Sequence, residues 1–105
     1  MNCIRTAAMI LLAASIAAPA IAQSAGATTY KQKCAMCHGP DGTAATPVAK
    51  AMKIVSFKDP SMVKAPESQF EAAVKNGKGK MKGFAGTLSD AQIKEVVSYI
   101  RTLQK

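Results

Sequence analysis

The 105-residue chain is short of large apolar side chains: it has no tryptophan, two tyrosines and three phenylalanines. A domain of this size buries only about three-fifths to two-thirds of the surface of its unfolded chain. Domains with so small a core usually need disulfides, a metal or a large cofactor to stabilise them. The composition therefore predicts that a bound group contributes to the fold.

The chain also lacks a membrane-spanning run in its N-terminal part. The apolar run from Ala7 to Ala18 has about 12 residues, whereas a spanning helix needs about 20. Arg5 precedes this run, and Ala20-Ile21-Ala22 follows it with the small-x-small pattern of a signal-peptidase site. We expect residues 1–22 to be a cleaved signal peptide. Residues 23–105 then form one domain, exported to the periplasm and without a membrane segment.

Acidic residues are scarce, since six Asp and Glu face 14 Lys and Arg and the net charge is +8. Cleavage after Ala22 removes one basic residue, Arg5, and no acidic one. A basic protein can bind nucleic acid, an anionic membrane surface or an acidic protein. Export excludes nucleic acid as a natural partner, which leaves acidic protein surfaces, or lysines kept only for solubility.

No segment alternates apolar and polar residues long enough to predict a sheet, and no repeat indicates a second domain. The pattern predicts an all-α fold. Its first helix is expected to begin at Thr28 or Thr29, either of which can cap a helix, and to end at Gly39-Pro40. One face of this helix carries Tyr30, Cys34 and Cys37.

Two further helices have clear start and stop signals. One runs from Pro66 to Asn76-Gly77, and the last begins with a capping box of Ser89 and Gln92. The apolar stripe of the last helix consists of Ile93, Val96, Val97, Ile100 and Leu103. Val48 to Ser56 is ambiguous, and the glycine-rich region from Gly77 to Gly86 is expected to be irregular unless a bond to a ligand fixes it.

The single histidine of the chain ends the run Cys34-Ala35-Met36-Cys37-His38. Cys-x-x-Cys-His is the attachment signature of c-type haem. On a helix, residues i, i+3 and i+4 share a face, so both thiols can reach the two vinyl groups of one porphyrin while the imidazole faces its iron. We predict one covalent haem c, held by Cys34 and Cys37, with His38 as an axial ligand.

Three other uses of these cysteines fit the sequence less well. A thioredoxin-type dithiol needs a strand-to-helix site in an α/β fold, and no strand pattern is present. A structural zinc site needs four ligands, but residues 23–105 offer only Cys34, Cys37 and His38. A disulfide within one helical turn would close too small a loop to add much stability.

The second axial ligand is expected to be a methionine, since residues 23–105 contain no other histidine or cysteine. Met36 lies inside the attachment motif, and Met52 and Met62 lie in poorly defined segments where methionine commonly fills gaps. Met81 lies among glycines that allow the backbone to approach a flat macrocycle, with Phe84 nearby to cover its edge. We predict Met81 as the second iron ligand.

With these residues in order, Gly26 to Leu103 resembles the class I cytochromes c, specifically the small bacterial members with one haem. The resemblance rests on Cys34 to His38, on Asn76-Gly77-Lys78-Gly79-Lys80-Met81, and on a closing helix with Leu88-Ser89-Asp90 and Tyr99-Ile100. It implies three to five helices wrapped around one haem, with the first and last helices crossing.

At that crossing, the resemblance places Gly26 and Tyr30 against Val96 and Tyr99. Pro47 resembles the family proline whose carbonyl accepts a hydrogen bond from the ligand imidazole. One position departs from the family, because relatives commonly have proline after the ligand methionine and this chain has Lys82.

An iron closed on both sides by His38 and Met81 leaves no position for dioxygen or a substrate, which predicts an electron carrier rather than an enzyme. Its partners are expected to be redox proteins with acidic docking surfaces. The protein itself is expected to be a monomer that forms transient complexes with them. The lysines available for docking are Lys31, Lys33, Lys78, Lys80 and Lys82. The alternatives are a haem subunit bound to a periplasmic dehydrogenase, or a small peroxidase or gas sensor in which Met81 is labile.

Overall fold

The computed structural model describes the backbone of residues 18–105 and the side chains of residues 24–105. Most of the predicted signal peptide, residues 1–17, lies outside the described residues. The described elements are α1 Ala18–Lys33, α2 Ala35–His38, α3 Pro47–Met52, α4 Pro60–Lys64, α5 Glu67–Asn76, β1 Gly77–Lys78, β2 Met81–Lys82 and α6 Asp90–Leu103. None of the helices in this part of the chain is long and apolar enough to span a bilayer.

Helices α1 and α2 form one bent helix. The Cys34 amide donates to the Tyr30 carbonyl over 2.8 Å, and the His38 amide donates to the Cys34 carbonyl over 2.9 Å, so the hydrogen-bond ladder continues through the bend. The predicted start at Thr28 or Thr29 is wrong, because α1 begins at Ala18. The hydroxyl of Thr28 donates to the Ser24 carbonyl one turn earlier, as a threonine inside a helix does.

The bent helix ends where the sequence predicts. Gly39 adopts a φ of 86°, which favours glycine, and Pro40 cannot continue the ladder.

Helix α6 crosses α1 at a glycine. An ideal Cβ on Gly26 would lie 2.2 Å from the carbonyl oxygen of Glu95 and 3.1 Å from Cβ of Tyr99. The ring centroids of Tyr30 and Tyr99 lie 5.3 Å apart, and Val96 is fully buried. The predicted crossing of the first and last helices is therefore confirmed, because only a residue without a side chain fits this close approach.

The capping box of α6 is confirmed as well. Ser89 Oγ accepts from the Gln92 amide over 3.1 Å, and Gln92 Oε1 accepts from the Ser89 amide over 2.9 Å. The predicted stripe is buried, except that Leu103 at the end of the helix is half-buried. The stripe packs with Tyr30, Phe57, Phe70 and Phe84 into one core cluster.

The middle of the chain contains two short helices. The first half of the ambiguous segment lies in α3, and residues 53–56 are not helical. Thr46 caps α3 by accepting from the Ala49 amide, and Lys53, with a φ of 55°, follows its last residue. Helix α4 has no counterpart in the sequence prediction. Its signal was present in Asp59-Pro60, because Asp59 caps α4 and Pro60 occupies its first turn.

The first part of the region predicted to be irregular, from Gly77 to Lys82, forms a small antiparallel hairpin. Gly77 pairs with Lys82 and Lys78 pairs with Met81, across a two-residue turn in which Gly79 has a φ of 58°. Two bonds tie its exit to the end of α5: the Phe84 amide donates to the Val74 carbonyl over 2.8 Å, and the Ala85 amide donates to the Lys75 carbonyl over 3.1 Å. Backbone hydrogen bonds therefore order the hairpin, whereas the prediction expected a bond to a ligand to do so.

Candidate haem site

The three donor side chains of the attachment motif lie between the bend, at Cys34, and the end of α2, at Cys37 and His38. Cys34 is buried at 7% exposure, while Cys37 and His38 are half-buried at the end of α2. Both thiols are unpaired. One helical turn therefore presents two free thiols and an imidazole, which is the donor set that a covalently bound haem requires.

The imidazole of His38 lies flat against Phe57, with ring centroids 4.6 Å apart and an angle of 17° between the planes. Burial lowers the pKa of His38, so the ring is neutral at neutral pH, which is the form that binds a metal. Its Nδ1 is buried and has no hydrogen-bond partner among the described residues. Pro47, whose carbonyl the resemblance pairs with this nitrogen, begins α3, and that pairing stays a prediction.

The other uses of the cysteines do not fit this environment. Burial raises the pKa of the Cys34 thiol to about 11, with a smaller contribution from the nearby Cys37, whereas a reactive dithiol needs a lowered thiol pKa. No group of three His, Cys, Asp or Glu side chains converges on a possible metal position within the described part of the chain. These observations argue against the dithiol and the zinc site.

Two methionines, not one, are placed to contact the interior. Met81 on β2 and Met62 on α4 are both half-buried and both pack against the core cluster. Met36 is 82% exposed, and Met52 is half-buried at the end of α3. The sequence analysis did not predict the core contact of Met62, because it did not predict α4, the helix that carries this residue.

A cleft of about 320 Å³ lies between α4, α5 and β1. Its lining includes Met62, Phe70 and Gly77. The ring centroids of Phe70 and Phe57 lie 6.1 Å apart, and the Phe57 ring stacks on the His38 imidazole. The apolar walls of the cleft therefore continue through two aromatic rings to the imidazole.

Three hairpin lysines, Lys78, Lys80 and Lys82, and two lysines at the end of α1, Lys31 and Lys33, are exposed. The Lys82 ammonium lies 5.5 Å from the centroid of the Phe84 ring, within the range of a cation–π contact. The hairpin that carries Met81 therefore exposes three basic side chains.

Comparison with known proteins agrees with this site. Residues 22–100 match the family described as cytochrome C oxidase, cbb3-type, subunit III. The chain is 39% identical over 83 residues to cytochrome c6 of Picosynechococcus sp. (strain ATCC 27264 / PCC 7002 / PR-6), which covers 73% of this chain and 69% of that protein. It is 31% identical over 94 residues to cytochrome c6 of Synechococcus sp. (strain ATCC 27167 / PCC 6312), and the match covers 88% of this chain and 81% of that protein.

A solved structure is also similar. The KustC0563 c-type cytochrome superposes with a TM-score of 0.70 at 26% identity, covering 76% of this chain and 98% of that one. The fold, the donor set of the attachment turn and these relatives agree: the chain belongs to the small class I cytochromes c, which carry a covalently bound haem c and transfer electrons.

Proposed function

We propose that this protein carries single electrons between redox partners through a haem c attached at Cys34 and Cys37, with His38 and Met81 as the two iron ligands. The observation that carries this proposal is the attachment turn, where two free thiols and a neutral imidazole occupy one helical turn. When bound, the haem iron supplies the reversible one-electron chemistry.

The residues of the chain contribute binding and exclusion of water. Phe57, Phe70 and Phe84 are each at most 6% exposed and form the apolar surroundings of the site. A dry environment with an imidazole and a thioether as ligands favours the reduced iron and raises the reduction potential. Because both ligand positions are filled, we expect no exchangeable position for a substrate.

Met81 is favoured over Met62 because the hairpin holds its backbone close to the end of α5. An ideal Cβ on Gly77 would lie 2.5 Å from the Met81 carbonyl oxygen, so glycine is required there for the hairpin to close. Met62 lies in a five-residue helix whose only side-chain cap comes from Asp59. Met62 packs against the same core cluster as Met81, so its substitution is the control for loss of a packed methionine.

The experiment compares Met81→Ala with Met62→Ala in the holoprotein. We expect Met81→Ala to lose the near-infrared thioether-to-iron band of the ferric protein and to bind carbon monoxide in the ferrous state, while Met62→Ala keeps the band. Loss of the band only in Met62→Ala would transfer the ligand role to Met62. A wild-type protein that binds carbon monoxide as fast as an open haem would favour the gas sensor or peroxidase.

The exposed lysines of the hairpin and of α1 support docking of acidic redox partners. Positive charge around a docking surface speeds encounter with an acidic protein, and physiological salt largely screens exposed charges that are more than about 8 Å apart. We expect the second-order rate of electron transfer with an acidic partner to fall as salt rises, and to fall less steeply in Lys80→Gln. A rate independent of salt would leave these lysines a role in solubility alone.

Export to the periplasm and cleavage after Ala22 also remain proposals. Helix α1 begins at Ala18 and so crosses the expected cleavage point. N-terminal sequencing of the secreted holoprotein is expected to begin at Gln23. A first residue of Met1 or Asn2 would show that the segment is retained.

A further inference from the structure

A permanent positive charge lies against the wall of the apolar cleft. The guanidinium carbon of Arg101 is 4.5 Å from the ring centroid of Phe70, which lines the cleft and is only 6% exposed. The guanidinium also donates to the carbonyl of Ala65, a second lining residue, and over 3.4 Å to the carbonyl of Val63. Arg101 thus contacts two residues of the wall without being one of the residues that line the cleft.

The charge of Arg101 is held by neutral groups. Besides the two backbone carbonyls, the side-chain oxygen of Gln104 accepts from the guanidinium over 3.0 Å. The ion pair found among the described side chains joins Lys75 to Asp90, and no Asp or Glu in that part of the chain pairs with Arg101. A guanidinium also keeps its proton throughout the pH range in which proteins are folded. The cleft therefore has a fixed unit charge beside it that no carboxylate neutralises.

The wall of the cleft connects this charge with the imidazole of the attachment turn. The ring centroids of Phe70 and Phe57 lie 6.1 Å apart, and those of Phe57 and His38 lie 4.6 Å apart. Both phenylalanines are at most 6% exposed, so hydrocarbon and not water fills this path. Charges interact more strongly through such a medium than through water.

Arg101 differs in this respect from the lysines proposed for docking. Its side chain is half-buried, whereas the hairpin lysines Lys78, Lys80 and Lys82 are exposed. Salt screens exposed charges and screens partly buried ones much less. The lysines can therefore act on an approaching partner, whereas the field of Arg101 acts on the interior of the site.

We propose that Arg101 raises the reduction potential of the haem site through its charge. This inference rests on the proposed function, in which the site exchanges single electrons with a redox partner. Loss of one electron to that partner leaves the site more positive by one unit, and a fixed positive charge nearby disfavours this state. Arg101 thereby favours the reduced form in addition to the ligands and the dry surroundings.

The size of the effect follows from the path through the rings. Three contacts separate the guanidinium from the imidazole, each of them 6.1 Å or less between centres. A charge about 15 Å away, across a medium with an effective dielectric constant of about 40, shifts a one-electron equilibrium about two- to threefold. We expect Arg101 to change the ratio of reduced to oxidised protein by this factor.

The test is a potentiometric titration of the holoprotein, which reports the ratio of reduced to oxidised protein at a set potential. Arg101→Gln removes the charge and keeps a planar donor, and it is expected to lower this ratio about two- to threefold. Arg101→Lys keeps the charge but not the planar fork, so it is expected to retain the wild-type ratio although it loses stability. Lys94→Gln is the matched control, because it removes an exposed charge from the same helix, and it is expected to leave the ratio unchanged.

A second pair neutralises the charge while Arg101 stays in place, and it decides the matter if Arg101→Gln yields no holoprotein. Gln104→Glu puts a carboxylate at the position that now accepts from the guanidinium, so it is expected to lower the ratio. Gln104→Met removes the same acceptor, and the bond to the Phe57 carbonyl, without adding a charge. We expect Gln104→Met to keep the wild-type ratio.

The outcomes separate this inference from the proposed function. If the wild type titrates reversibly with one electron but Arg101→Gln and Gln104→Glu leave the ratio unchanged, the role of the charge is refuted and the electron carrier stands. An equal fall of the ratio in Arg101→Lys, in Gln104→Met or in Lys94→Gln also refutes it, because packing or net charge would then set the potential. If the wild type has no reversible one-electron titration, the proposed function and this inference both fail.

Discussion

Gly26 provides the sharpest test of how the first and last helices hold the molecule together. It is buried at the crossing of α1 and α6, and an ideal Cβ there would lie 2.2 Å from the Glu95 carbonyl oxygen and 2.8 Å from the Glu95 carbonyl carbon. Both atoms belong to backbone, which cannot move away as the end of a flexible side chain can. The change Gly26→Ala must therefore push the two helices apart.

The magnitude follows from two opposing effects. Replacing glycine by alanine inside a helix ordinarily gains about 1 kcal/mol from helix propensity. Relieving this clash requires a movement from 2.2 Å to the 3.4 Å at which ordinary contact begins. Overpacking in a tight core costs about 1 to 3 kcal/mol, and a displacement of backbone against backbone lies at or above the upper end. We expect a net loss of about 2 kcal/mol or more in the free energy of unfolding.

The assay is urea unfolding of the holoprotein, followed by haem absorbance. With a slope of about 2 kcal/mol per molar, a loss of about 2 kcal/mol lowers the midpoint by about 1 M. Gly86→Ala is the matched control, because a Cβ at Gly86 would meet nothing within 4 Å and its φ is not positive. Equal midpoints for Gly26→Ala and wild type would refute the close crossing of α1 and α6.

Two further changes test other contacts. Arg101 donates to two backbone carbonyls in the α4 segment, and its guanidinium carbon lies 4.5 Å from the Phe70 ring centroid, so Arg101→Ala is expected to cost about 2 kcal/mol in urea unfolding. Arg101→Lys is expected to recover less than half, and full recovery would contradict a role for the planar guanidinium. Lys82→Pro should restrict the backbone beside Met81, so the near-infrared band is expected to persist to higher pH, and loss at the same or lower pH would contradict this.

Much of the fold could be predicted because its signals are local. Ser89 and Gln92 lie three residues apart, so the capping box could be recognised without any knowledge of the fold. The same holds for the stop at Gly39 and for the attachment motif, whose chemistry depends on spacing within a single turn. The crossing at Gly26 became visible through the family resemblance and not through periodicity.

The features that were missed depend on contacts between distant parts of the chain. The stacking of Phe57 on His38 joins residues 19 positions apart, and no pattern in the sequence specifies it. Strands of two residues are too short to show alternation, so the hairpin around Met81 could not be detected. The partnership of Tyr30 with Gly39 likewise requires knowing that the tyrosine side chain points along the helix toward the turn.

The last turn of α6 and the residue after it, Gln104, bond to distant parts of the chain. The segment between α3 and α5 contains only the five residues of α4 in regular structure, and side chains of α6 supply part of its support. Gln104 Nε2 donates to the Phe57 carbonyl over 3.0 Å, so the backbone of the residue whose ring stacks on His38 is tied to the residue that follows α6. Helix α6 is itself held against α1 at Gly26, and α1 leads directly into the attachment turn.

The imidazole therefore lies within a closed path of contacts that runs through α1, α6 and Phe57. Because the core is small, each contact in this path carries a large share of the stability of the domain. A change at a residue far from the haem, such as Gly26, is for that reason expected to disturb the site as well as the fold. A residue outside the path, such as Gly86, is expected to disturb neither.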